Sequence, residues 1–245
     1  MANALLPGVS RPFDFRLWLG LPLLAMGLLL WLDPSGLDFA LAEKFYVPGV
    51  GFIGRKRYWL ENILHDRAKE AVILLSVLLF LGFVASWFAP RLREWRRPLG
   101  YVVLAMGLST AIITPLKALT AVQCPWSLSE FGGTETFTPL LDARAETLKP
   151  GRCWPGGHAS TGFSLLALFF ALRDRRPKAA RVALVAALVL GVTFSIGRML
   201  QGAHFLSHNI WTLLFDWMIC VLCYRWLLYR PATAAASEAQ HALAE

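Results

Sequence analysis

Six apolar runs, at residues 17–32, 71–88, 99–116, 160–172, 182–196 and 210–228, alternate with charged connections along this chain. With 245 residues, 56% hydrophobic content, ten tryptophans and a mean hydropathy of +0.51, it carries more apolar surface than a soluble domain of this size normally holds. The composition predicts an all-α integral membrane protein: six transmembrane helices in one bundle over residues 1–230, followed by a mobile cytoplasmic tail at 231–245. Several runs are shorter than the roughly 20 residues that cross a bilayer. The fourth and fifth are the shortest, so their outer ends, around His158 and Arg198, are expected at headgroup depth.

The net charge of +8 does not form one basic surface of the kind that binds nucleic acid; it is sorted by connection. Arg91, Arg93, Arg96 and Arg97 face only Glu94, and Arg173, Arg175, Arg176, Lys178 and Arg181 face only Asp174. The positive-inside rule makes both connections cytoplasmic, with the termini inside and the long connections at 33–70 and 117–157 outside. The expected location is a bacterial inner membrane with the site facing the periplasm. Ala40-Leu41-Ala42 resembles a signal-peptidase site but lies too far beyond the first apolar run, which favours an uncleaved anchor. Cys124 and Cys153 fall in the second outer connection, an oxidising environment on this orientation, and are expected to pair; Cys220 and Cys223 are expected to pack near the inner end of the last span. Residues 55–64 mix basic and aromatic side chains and suit the membrane interface.

On this topology Lys117, His158, Arg198, His204 and His208 all fall on the outer side. Ionisable groups at that depth are costly unless they serve a function. His204 and His208 are four residues apart, one helical face if the following helix has already begun, so that one imidazole can orient the other. Arg198 reaches the same place only if the chain turns at Gly202. Arg152-Cys153-Trp154-Pro155-Gly156-Gly157-His158 leads into the fourth run with backbone amides of the kind that bind anions. A fixed cation, a histidine and a group to hold it are the parts that phosphoryl transfer needs.

Three islands therefore stand in order: Lys117 with Cys124-Pro125, then Pro155-Gly156-Gly157-His158, then Gly197-Arg198 with His204 and His208. They resemble the type 2 phosphatidic acid phosphatase superfamily, whose signature is Lys, six residues, Arg-Pro; Pro-Ser-Gly-His; and Ser-Arg, five residues, His, three residues, Asp. The resemblance implies that Lys117 and Arg198 hold phosphate oxygens and that the Gly156 and Gly157 amides help cradle them. It implies that His204 attacks phosphorus, that His158 protonates the leaving oxygen, and that no cofactor is required. Four positions depart from the signature. Cys124 stands in place of an arginine, Gly156 and Gly197 in place of serines, and His208 in place of the aspartate that orients the nucleophile. Arg152 is a candidate for the missing cation if a disulfide draws the segments together.

The expected activity is hydrolysis of a phosphate monoester or diphosphate on a lipid headgroup, undecaprenyl diphosphate, phosphatidylglycerol phosphate, phosphatidic acid and lipid A being open substrates. Three alternatives remain: transfer of the phosphoryl group to another lipid, a zinc hydrolase using His158, His204 and His208, and a non-enzymatic lipid carrier. The sequence sets no oligomeric state.

Overall fold

The computed structural model describes residues 9–55, 57, 58, 60, 66–144, 147 and 149–232. The expected interfacial segment at 55–64 lies mostly outside the described residues, as does the expected tail beyond 232. The elements run α1 (Phe15–Trp31), α2 (Ser35–Lys44), strands β1 (Tyr46–Val47) and β2 (Gly51–Phe52), α3 (Ala68–Ala85), α4 (Arg96–Ala111), α5 (Ile113–Thr120), α6 (Gly157–Phe163), α7 (Leu166–Leu172), α8 (Pro177–Leu200) and α9 (Leu206–Leu227). The chain is thus a mostly helical membrane protein. Among the described residues the departures from an all-helical fold are an isolated bridge between Leu128 and Glu135 and a two-residue antiparallel ladder closed at Pro48-Gly49, where Gly49 takes φ +78° and Val50 N–H donates to the Val47 carbonyl.

Among the described residues, four helical segments are long and apolar enough to span: Ala68–Ala85, Pro90–Ser127, Pro177–Leu200 and Leu206–Leu227. The first apolar run makes α1, which bends by 84° into α2. The fourth run falls short of a span, at Gly157–Leu172, and is broken between α6 and α7. Its shortness has a packing reason: Ala159, Leu166, Ala167 and Phe170 are almost fully buried, so protein rather than lipid surrounds it. By contrast α1, α3 and α8 carry exposed leucines and valines such as Leu24, Leu74 and Val185, the lipid-facing side of the bundle.

Around the central pair, Tyr101, Phe163, Phe170, Val221 and Tyr224 form the main core. Gly162 and Gly191 let α6 and α8 cross in near contact: a Cβ on Gly162 would lie 2.6 Å from the Gly191 Cα. At one end of α8 the two basic connections meet, with Arg175 reaching Glu94 (3.9 Å) and both Arg175 and Arg176 stacked over Trp95. The amino-terminal lead is fastened there as well. Arg173 donates to the Arg11 and Pro12 carbonyls and to Tyr224 Oη, Asp174 accepts from Arg11 N–H, and Ser10 exchanges hydrogen bonds with Arg230. At the opposite end of α8, Phe39, Phe52, Phe131 and Phe205 build a second, aromatic cluster over the 197–208 segment.

Candidate active site

α8 ends two residues after Arg198, at Leu200, and Gln201 takes the guanidinium by a 2.7 Å bond from Nη1. Trp126 supplies a flat surface beneath it, 5.6 Å from ring centre to Cζ, and the exposed Arg55 lies over the same indole at 6.0 Å. The turn expected at Gly202 is present, with φ +70°, and the residue is doubly constrained because a Cβ would sit 2.2 Å from the Phe52 ring. Gly202 also accepts a hydrogen bond from Trp126 N–H, which ties the outer connection to the turn.

That turn delivers His204 into the protein, only 4% exposed. Its Nδ1 lies 2.7 Å from the Cys153 carbonyl oxygen. A carbonyl only accepts, so Nδ1 carries the proton and Nε2 keeps the lone pair. Because α9 starts at Leu206, His204 precedes the helix and does not stack one turn below His208; the two rings meet edge to face with centroids 6.0 Å apart. The orienting bond expected from His208 is made instead by a backbone carbonyl. Burial, then the Lys117, His208 and Arg198 charges, push the His204 pKa well below its ordinary value. His204 is therefore a neutral imidazole at physiological pH.

The carbonyl that holds it is itself fixed. Cys153 is disulfide-bonded to Cys124, with Cα atoms 5.1 Å apart, and its N–H donates to the Val122 carbonyl. The chain then passes through Pro155 to Gly156, whose N–H donates to Thr212 Oγ1 (2.8 Å) and to the His208 carbonyl (3.2 Å). The Gly156 amide is thus occupied in joining this loop to α9, and does not face outward for an anion. Gly157 is the glycine that faces a cation: a Cβ there would lie 3.4 Å from Lys117 Nζ. His158 follows in the first turn of α6. Lys117 and Arg198 lie within Coulombic range of one another and of His204. The structure therefore brings Lys117, Gly157, Arg198, His204 and His208 to one end of the bundle. Arg152, next in sequence to the disulfide-bonded Cys153, stands exposed. Among the described residues no three His, Cys, Asp or Glu side chains gather as metal ligands, so the three-imidazole zinc set is not formed.

The model of the PAP2 superfamily matches residues 98–232, more than half of the chain. This chain belongs to the PAP2 superfamily. It is also 26% identical over 221 residues, covering 86% of this chain and 97% of the relative, to the lipid A 4'-phosphatase of Francisella tularensis subsp. novicida (strain U112). No solved structure matches it significantly. In this PAP2 protein two of the four departures from the family signature, at Gly156 and Cys124, have local causes. A side chain on Gly156 would place its Cβ 2.5 Å from Asn209 Oδ1, and Asn209 is pinned by its own bond to the Phe205 carbonyl. Cys124 gives up a charge and gains the disulfide that sets the Cys153 carbonyl.

Two acids of this PAP2 protein escaped the sequence reading. Asp38 on α2 accepts from Ser207 N–H (2.9 Å) and from the Ser207 hydroxyl, so it caps the start of α9 across a long sequence separation. Asp216, fully buried in α9, accepts from Ser160 Oγ at 3.2 Å. Asp216 had a visible signal, a lone carboxylate inside an apolar run. Asp38 had none, since its partner is distant in sequence.

Proposed function

We propose that this PAP2 protein is an integral membrane lipid phosphatase that removes a phosphate monoester from a lipid A-type headgroup, through a phosphohistidine on His204. The carrying observation is the His204 tautomer: a neutral ring with its proton committed to a carbonyl, its other nitrogen left with the lone pair, and two cations within Coulombic range of the ring. The lipid A 4'-phosphatase relative, matched over nearly its full length, supports the substrate class.

Lys117 and Arg198 draw charge from the non-bridging oxygens, with the Gly157 amide beside them. The Nε2 lone pair forms the N–P bond as the P–O bond to the lipid breaks, and His158 gives its proton to the departing oxygen. The phosphorylated imidazole bears a positive charge, which the Cys153 carbonyl dipole stabilises through Nδ1–H. His158, now neutral, takes a proton from water; the resulting attack cleaves the N–P bond, releases inorganic phosphate and restores His204. His208 packs beside the nucleophile and shapes its pocket. The six apolar segments, counting the bent α1–α2 pair and the short α6–α7 pair, cross the inner membrane with the basic connections in the cytoplasm and the site at the periplasmic boundary.

The test is phosphate release by purified protein from a panel of lipid A, undecaprenyl diphosphate, phosphatidylglycerol phosphate and phosphatidic acid. Wild type releases phosphate, with lipid A the preferred substrate; His204→Ala loses at least about 1,000-fold; vanadate inhibits and a chelator does not. A His204→Ala protein that retains the wild-type rate overturns the mechanism.

A further inference from the structure

At the basic end of the bundle, the end of α8 away from His204, a cavity of about 650 Å³ lies between the start of α4, the connection into α8 and the end of α9. That is within the range of small-molecule pockets, roughly 300–1,000 Å³. Four arginines line it, Arg97, Arg175, Arg176 and Arg230, against two acids, Glu94 and Asp174. Both acids are already matched. Arg175 reaches Glu94 at 3.9 Å, and Asp174 takes the Tyr224 hydroxyl (2.7 Å), the Arg11 N–H (2.9 Å) and the neighbouring Arg173 Nε at 3.9 Å. Among the described residues no carboxylate lies within ion-pair distance of Arg97, Arg176 or Arg230. Three separate segments thus gather three unmatched like charges around one space, an arrangement that repels itself until an anion enters.

The fold holds these arginines in place without supplying a counter-charge. Arg176 lies over Trp95, its Cζ 5.1 Å from the ring centre, where the indole offers a face and no acceptor oxygen. Arg230 is fastened through its backbone, its N–H to Ser10 Oγ and its carbonyl to Ser10 N–H, while its exposed side chain makes no ion pair among the described residues. An arginine fork matches a phosphate bidentately. Leu227, 43% exposed in the last turn of α9, lines the same cavity, so apolar surface adjoins the cations. A soluble anion gains nothing from that surface, whereas a lipid does. We propose that the cavity binds the phosphate diester headgroup of an anionic phospholipid in the adjoining leaflet, its acyl chains lying along the end of α9. With three unmatched arginines, a lipid carrying two phosphates fits best. Basic pockets between membrane helices take such headgroups. This lipid is a bound companion of the fold, independent of the reaction at the other end of the bundle.

The test is retention of radiolabelled cardiolipin, phosphatidylglycerol and phosphatidylcholine by purified, immobilised full-length protein in a neutral detergent. Wild type should hold cardiolipin most tightly, phosphatidylglycerol less and phosphatidylcholine least; equal retention of all three overturns the site before any variant is made. Arg97→Gln and Arg230→Gln each remove one charged donor, a loss worth about tenfold in the cardiolipin Kd, and together about 100-fold. Arg91→Gln with Arg93→Gln removes two charges from the same connection as Arg97 without touching the cavity lining, and should stay within about twofold of wild type. Equal losses in the two pairs would mean diffuse attraction to a basic surface and would end the proposal, as would wild-type retention by the Arg97 and Arg230 pair. Retention lost in Arg198→Gln but kept in that pair would put the lipid at the opposite end of the bundle and overturn the assignment. Inorganic phosphate or pyrophosphate that displaces cardiolipin at matching phosphate concentration would make the ligand a soluble anion and refute the lipid; displacement only by excess anionic lipid upholds it.

Discussion

At the scale of single residues, the orientation of His204 by the Cys153 carbonyl makes the proposed nucleophile depend on a backbone atom that a disulfide holds in place. Replacing Cys124 and Cys153 together by serine should cost about 3–4 kcal/mol of stability, from the loop of 29 residues that the bond closes. It should also lower turnover in protein that still folds, because the carbonyl loses its anchor. Thermal melts and phosphate release with and without reductant measure both. The depressed His204 pKa sets a pH expectation. Between the lowered folded value and the ordinary value near 6.5, the unfolded chain binds a proton that the folded protein does not, so His204 favours folding at neutral pH and this contribution falls as pH drops through that window. The His204 ring remains unprotonated across the same window. Its limb in a pH profile of kcat/KM should accordingly lie below the usual histidine range, and a limb near 6.5 that disappears in a tautomer-blocking variant would contradict the buried-neutral assignment. Gly156→Ser, which restores the residue of the family signature, should cost about 1–3 kcal/mol from overlap with Asn209, and adding Asn209→Ala should recover most of it in urea melts. Spacing made Lys117, Arg198 and His204 legible in the sequence, since side chains with fixed chemistry recur at fixed intervals. The Cys153 carbonyl was not legible, because every residue has a carbonyl and only the fold selects one.

At the scale of elements, α9 starts where it does because Asp38 reaches from α2 to the Ser207 amide and hydroxyl. Asp38→Ala removes both acceptors from a buried site and should cost about 1–3 kcal/mol, with faster hydrogen exchange confined to the first turn of α9. Wild-type exchange at Ser207 and His208 in that variant would show that the cap does not hold the helix. The apolar runs gave four helical segments their place along the chain, and the run at 160–172 marked the central pair. That run could not reveal its own break, nor that protein rather than lipid would surround it. Runs report how apolar a segment is, whereas the contact of Gly162 with Gly191 depends on which two faces meet.

At the scale of the whole molecule, α8 is 24 residues long, about 36 Å of helix. It carries Arg198 at one end and begins beside the joined basic connections at the other. That separation is what a bilayer with catalysis on one surface and retained positive charge on the other requires. Single cysteines introduced at Arg91 and at Arg152 in a background lacking Cys220 and Cys223, with the disulfide kept, should label from opposite sides of sealed vesicles; labelling from one side reverses the proposed topology. The sorting of lysine and arginine was readable because it is a count per connection. The meeting of Arg175 with Glu94 and Trp95 was not, since it depends on how α3, α4, α7 and α8 pack. The mutual bonds of Ser10 and Arg230 bring residues 220 positions apart into direct contact. Joining those two positions with a short bridge would make a ring of the polypeptide without dragging any helix through the bilayer. New ends could then be opened in another connection, so the order in which the segments leave the ribosome could be rearranged while the finished assembly stays the same.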